Sequence, residues 1–395
     1  MRLATPLLLL ALLPLGGCLV PGQDSSQRPE TEPPPPKVRA CAPGPVYRWA
    51  LWEVELEELP KGTPPEHVFL RLDGVWQDAL GQGQSWAEYL PVDRLAGDGH
   101  TLLIPAEPEF FPGGGAPGTF EGEASALLLW EDQILAGPKA ACHLATAGAF
   151  QVVQLNPVQD FSVALARFGL EAAEDQLLDL LAPLAQAYYA GFAVEFRTQP
   201  PEDFLAFLRL DLLGRDPSGL GLLGLDATPG KDQGNRVLDE ILGGYSRPAR
   251  RAGQVPWGGI FLDSFLAFSP THSSANALAD PAFDELFAPF SPELGGQPLQ
   301  AAELRPGAPR AKAAGLALQT LAQLLASTAA HEVGHCLGLA QVPGQPDALH
   351  QPGDNPRYLM DEGRYRPFVE RAALDSKIEV LSRPERLYLG TILPL

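Results

Sequence analysis

Basic side chains are scarce in this chain of 395 residues: 28 Lys and Arg stand against 48 Asp and Glu, for a net charge of −20. A surface of that sign repels a phosphate backbone, which argues against nucleic acid as a partner and reads as a well-solvated acidic exterior. Cysteine is limited to four residues, and no two of them have CxxC spacing. No GxSxG elbow occurs, and the glycine-rich run "LLGRDPSGLGLLGLDATPGKDQGN" lacks the GKS or GKT ending of a phosphate loop. Nucleotide binding of that type is therefore disfavoured. No solenoid-type repeat is visible. The apolar run near the N-terminus, "LLLLALLPLGG", is too short and too abruptly ended to span a membrane. Methionine occurs twice, once as the initiator. Glycine and proline are plentiful, at 40 and 41 residues, and imply long irregular connections. Hydrophobic residues make up 45% of the chain, enough for a substantial core, and the length suggests two domains or one with large extensions.

At the N-terminus, Arg2 precedes the apolar run, which stops at Leu15, Gly16, Gly17 and Cys18. "LGGC" resembles a bacterial lipobox, in which the cysteine becomes the lipidated first residue of the mature protein. Residues 1–17 then form a lipoprotein signal peptide, and Cys18 carries a lipid anchor. Leu19, in place of Asp, points by the same resemblance to the outer membrane or cell surface. The alternative is an ordinary secretory signal that happens to contain a cysteine. Residues 18–41 are polar and proline-rich and read as an extended tether. In an extracytoplasmic compartment Cys41 and Cys142 can pair. Their bridge would close a loop of about 100 residues, worth up to roughly 4 kcal/mol in the chain-entropy picture. Cys336 falls on an apolar helix face and reads as a small core residue.

Residues 42–147 have a strand-like pattern. In "LWEVELEEL", Trp52, Val54 and Leu56 alternate with Glu53, Glu55 and Glu57, the two-residue period of a sheet with one wet face. "HVFLRLDGVW", "HTLLIPAE" and "SALLLWEDQILAG" follow between Gly, Pro and Asp turns, so this part reads as an all-β, sandwich-like accessory domain.

From residue 148 to 395 the pattern changes to an α+β or α/β layer with mostly local connections. "AFQVVQLNP" reads as a strand, "EAAEDQLLDLLAPLAQAYYAGF" as a helix with Leu177, Leu178, Leu181 and Leu184 on one side, and "FAVEFRTQP" and "FLAFLRLDLLG" as strands. The glycine-rich stretch that follows reads as loop, and "GGIFLDSFLAF" as a further strand. "AKAAGLALQTLAQLLASTAAHEVGHCLGL" predicts a long helix ending near Gly338, with Leu316, Leu318, Leu321, Leu324 and Leu325 on its apolar side.

The C-terminal turn of that helix carries "HEVGHCLGLAQ", residues 331–341. His331 and His335 are one helical turn apart and face the same way, so both imidazoles can reach one ion. Zinc suits them, being borderline-soft and content with a tetrahedral set of nitrogen and oxygen donors. Glu332 stands beside the first histidine, angled to act as general base to a metal-activated water and then as general acid to a leaving amine. Gly338, three residues past the second histidine, permits a left-handed cap that turns the chain back toward the metal. Downstream, "RYLMDEG" puts Met360 in a polar, turn-like context.

With these residues the chain resembles the metzincin zinc endopeptidases, whose pattern is HExxHxxGxxH followed by a Met-turn. The resemblance rests on residues 331–338 and Met360 by motif, and on about 150–365 by element order. It implies a twisted, mostly parallel sheet, an active-site helix, a cleft beneath an edge strand and a methionine under the histidines. "GGIFLDSFLAF" is the candidate for the strand that lines the cleft. The departure is Gln341, which stands where the pattern calls for histidine; a neutral amide oxygen is a weaker ligand than imidazole or carboxylate. His350, nine residues on, can fold back to that position, since a chain spans up to ~3.3 Å per residue. His350 is the first candidate for the third ligand, and Gln341, Asp347 or no third protein ligand at all remain open as alternatives. His67, His100, His143 and His272 have no partners at ligand spacing.

Two functions remain open. One is a zinc-dependent endopeptidase acting on a protein or peptide substrate, anchored in an outer membrane through Cys18. The other is an inactive metzincin-like lipoprotein serving as a binding or assembly module.

Overall fold

The computed structural model describes residues 33–41, 44–114, 116–131, 133–205, 207–226, 259–274, 276–340 and 350–395. The signal-peptide and lipidation readings, including Cys18, and the alternative ligands Gln341 and Asp347 lie outside the described residues.

The first strands are β1 (Lys37–Cys41), β2 (Pro45–Tyr47), β3 (Leu51–Glu57), β4 (Val68–Asp78) and β5 (Gly83–Pro91). They are followed by β6 (Arg94–Leu95), β7 (Thr101–Pro105), β8 (Gly118–Trp130), β9 (Gln133–Ala136) and β10 (Ala140–Gly148). One sheet has the order β1-β3-β7-β6 and is antiparallel throughout. The other runs β2-β10-β8-β4-β5, with β9 paired to β8 and only β2–β10 parallel. The alternation in β3 sets which face is dry: Trp52, Val54 and Leu56 are buried while Glu53, Glu55 and Glu57 are exposed. Those three residues share one core with Leu70, Leu72, Trp76, Phe120 and Leu144 of the second sheet. The Cys41–Cys142 disulfide ties β1 of one sheet to β10 of the other. Lys37–Cys41 is therefore a sheet strand, which trims the tether: the alternation of Val38 with charged Lys37 and Arg39 is short, and only pairing with β3 makes it a strand.

The remaining chain is built on a second α+β layer. Its strands are β11 (Gln151–Pro157), β12 (Val194–Arg197), β13 (Leu208–Leu213), β14 (Gly224–Leu225) and β15 (Gly259–Phe261). The sheet order is β12-β11-β13-β15-β14, parallel except for the antiparallel edge strand β14. Its helices are α1 (Gln159–Arg167), α2 (Glu174–Tyr188), α3 (Pro281–Phe287), α4 (Ala311–Cys336), α5 (Phe368–Arg371) and α6 (Arg383–Ile392). The two layers are joined by backbone pairing: Leu51 N donates to Asp203 O at 2.7 Å, and Leu205 N to Trp49 O at 2.8 Å. Ala50, Val152 and Phe204 are buried at this seam, with Tyr47 and Phe150 against them.

Three expectations are corrected. "GGIFLDSFLAF" is a strand only at Gly259–Phe261; Leu262–Phe268 is a 3₁₀ helix. Leu262, Phe265 and Leu266 stand at helical spacing, and a near-continuous apolar run cannot separate the two periods. The glycine-rich stretch read as loop contains β14, two residues that depend on pairing with β15. Leu316 is 54% exposed, because Ala314, Ala317, Leu318 and Leu321 form the buried stripe in the first turns of α4. From Thr320 to Cys336 every residue of α4 is buried. The helix is long and apolar enough to cross a membrane, yet 78% of its most apolar window lies inside the protein, as in a core helix.

Candidate metal centre

α4 delivers His331, Glu332 and His335 over its last two turns, all less than a tenth exposed. A Schellman arrangement stops the helix immediately afterwards. Gly338 has φ +75°, its N–H bonds His335 O at 3.0 Å, and Leu339 N–H bonds Gly334 O at 2.9 Å. A side chain in that left-handed conformation would be strained, so glycine is the residue that lets the chain leave at this angle.

His350 comes back to the same place. Its ring centroid lies 5.3 Å from that of His331 and 4.9 Å from that of His335, and the His331–His335 separation is 4.6 Å. One ligand atom from each of the three falls within 4.8 Å of the others. The neighbour of His350 accounts for its position: Gln351 N donates to Met360 O at 2.9 Å, Gln351 bridges Asp361, and its amide donates to Glu385 Oε1 of α6 at 2.9 Å.

The segment around Met360 forms the floor. Met360 is fully buried, and its thioether packs against Gly334, the residue before His335; a Cβ there would also meet Met360 Cε at 3.0 Å. The preceding carbonyl, Leu359 O, accepts from His331 Nδ1 at 2.6 Å. A carbonyl can only accept, so Nδ1 carries the proton and Nε2 keeps its lone pair for a ligand. Burial, then Arg366 and His335 nearby, holds the His331 pKa well below the ordinary value, which favours the neutral imidazole. His331 Nε2 and His335 Nε2 are 3.1 Å apart. Two nitrogens at roughly 2.0–2.1 Å from a tetrahedral ion stand about 3.4 Å from each other. Three imidazoles with nitrogens gathered in this way fit a divalent ion such as zinc.

Compared with known protein families, curated proteins and solved structures, this chain matches none.

Glu332 faces the same cavity, of about 420 Å³, as the three histidines. Residues 221–226, which include β14, form another part of its wall. A Cβ on Gly224 would lie 2.5 Å from Glu332 Oε1 and 2.8 Å from its Cγ, so the edge strand and the carboxylate meet only because Gly224 has no side chain. The strand that lines the cleft is thus β14, with β15 one position inside it.

Beneath α4 lies a buried ion pair. Arg366 Nε donates to Glu379 Oε1 at 2.6 Å and Nη2 to Oε2 at 2.8 Å; Ser327 Oγ joins both partners. Arg366 also lines the cavity, as do Glu362, Gly363, Arg364 and Arg371. Cys336 is buried, and its thiol donates to Asp226 Oδ1 at 3.1 Å.

Of the residues singled out by motif, His331, Glu332, His335, His350 and Met360 come together. His67, His100, His143 and His272 do not join them. Gly224, the Leu359 carbonyl, Arg366 and Arg371 carry no local signal. The nearest thing to one is the clustering of Arg364, Arg366 and Arg371 within a dozen residues of the methionine.

Proposed function

We propose that this chain is a zinc-dependent endopeptidase of metzincin type, anchored outside the cytoplasm through Cys18. The observation that carries this reading is the gathering of His350 with His331 and His335 beside Glu332. The resemblance of residues 331–338 and Met360 to the metzincin pattern supports it, as does a cleft bounded by an antiparallel edge strand.

His331, His335 and His350 would hold the ion, and when bound it would supply Lewis acidity toward a substrate carbonyl and a water molecule. Glu332 takes the proton of the attacking water and returns it to the departing amine, a role open to a carboxylate held at the wall of the cavity. The Leu359 carbonyl fixes the His331 tautomer, and Met360 fixes the height of the helix turn that carries both histidines. β14 offers an extended backbone along which a peptide can lie by strand addition.

The test is metal analysis together with hydrolysis of a denatured protein substrate. The purified chain is expected to hold close to one zinc per molecule, and Glu332→Ala to keep the metal while losing about 10²–10⁴-fold in turnover. Undiminished proteolysis by that variant would remove the mechanism. A chain without zinc would instead favour a binding or assembly lipoprotein.

A further inference from the structure

The cavity that holds the histidines also contains a cation with no carboxylate of its own among the described residues. Of its three arginines, Arg366 is committed to Glu379, and Arg364, with a side chain 66% exposed, pairs with Glu362 at 2.8 Å. Arg371 differs from both. It closes α5, is only 2% exposed, and among the described residues has no carboxylate at ion-pair distance. Its Nε donates to Arg366 O at 2.8 Å and its Nη2 to Gly363 O at 3.1 Å. Those two bonds orient the guanidinium and leave most of its five donor hydrogens for something else.

A guanidinium taken out of water and satisfied only by neutral carbonyls is costly, and such a charge is normally paired. Burial, with Arg366 beside it, pushes the Arg371 pKa down to about 9, so the group remains cationic at neutral pH. Glu332 and Glu379 lie near enough to act on it through space, but Glu379 is taken by Arg366. The planar fork suits a two-oxygen anion, which it can bind through two parallel hydrogen bonds.

We infer that Arg371 is a specificity-determining residue that receives a carboxylate of the peptide bound across the cleft, so that the site selects acidic substrates. This rests on the peptidase reading given above. The carboxylate can come from an Asp or Glu side chain near the bond to be cut or from a free C-terminus.

Binding, measured without turnover, tests the inference. Full-length Glu332→Gln protein loaded with zinc is titrated with fluorescein-labelled peptides that differ only in Asp against Asn, or Glu against Gln, at successive positions. A second pair differs in a free or an amidated C-terminus. One acidic position, or the free C-terminus, is expected to bind ~10-fold to 100-fold tighter than its neutral counterpart, the range for hydrogen bonds to a charged group. Combining Glu332→Gln with Arg371→Gln should abolish that preference, and combining it with Arg371→Lys should retain part of it. The comparison between peptides uses an unaltered Arg371, so it stands even if Arg371→Gln fails to fold. Equal affinity for acidic and neutral peptides would overturn the inference and leave the peptidase reading intact. Binding of no peptide at all would overturn both.

Discussion

The backbone N–H of Gln351 donates to the carbonyl of Met360 at 2.9 Å, and this bond sets where His350 stands. The metal-site motif reaches its third position at Gln341, yet the imidazole beside His331 and His335 is nine residues further on. The floor of the site thus positions both the helix histidines, through Leu359 and Met360, and the one that arrives from the loop.

His350→Ala should cost more metal than any change at Gln341. Loss of a ligand is expected to weaken zinc binding by more than the ~10-fold to 100-fold typical of residues that merely orient ligands. Gln341→Ala and Asp347→Ala should leave affinity near that of the parent. Competition with a fluorescent chelator measures all three, and a strong effect of Gln341→Ala alone would reassign the ligand.

Gly224→Ala should damage catalysis while sparing the metal. Its Cβ would sit 2.5 Å from Glu332 Oε1, so either the carboxylate or β14 must shift. A displacement of about 1 Å at a reacting group can cost on the order of 10²-fold in rate. Turnover and zinc content measured on the same preparation check this. Unchanged turnover would mean that Glu332 is free to move without consequence.

The metal-free protein should lose stability in mild acid. His331 has its pKa held well below 6.5, first by burial and then by Arg366 and His335, whereas an exposed histidine in the unfolded chain titrates near 6.5. Below that pH the unfolded state takes up a proton that the folded state refuses, so unfolding becomes easier as pH falls. This contribution is fully present above about pH 6.5. It then declines by about 1.4 kcal/mol per pH unit until the folded value is reached. Thermal unfolding in chelator between pH 7 and pH 5 should show a steeper decline for the parent than for His331→Gln. Equal slopes would mean that His331 accepts the proton in place.

Much of the architecture could be read from local pattern. The alternation of Trp52, Val54 and Leu56 with glutamates marks β3 because both period and burial are properties of one strand. The long run through "HEVGHCLGL" marks α4 and its glycine stop for the same reason. Where the pattern misled, a partner across the fold decided the outcome. Lys37–Cys41 becomes a strand by pairing with β3, and Gly224–Leu225 by pairing with β15. Leu262–Phe268 coils because Phe265 and Phe268 are needed in the core beside Phe283 and Phe368.

By itself the sequence determined what is set within a single helical turn: two histidines facing one way, a glutamate between them, and a glycine able to take a left-handed cap. Helix geometry makes those relations local, so spacing alone suffices. Only the tertiary structure decided that His350 closes the set, that Gly224 stands against Glu332, and that Arg371 is a buried cation without a carboxylate partner among the described residues. Each of these depends on where a loop or edge strand returns, and that is settled by backbone pairing and burial between segments far apart in the chain.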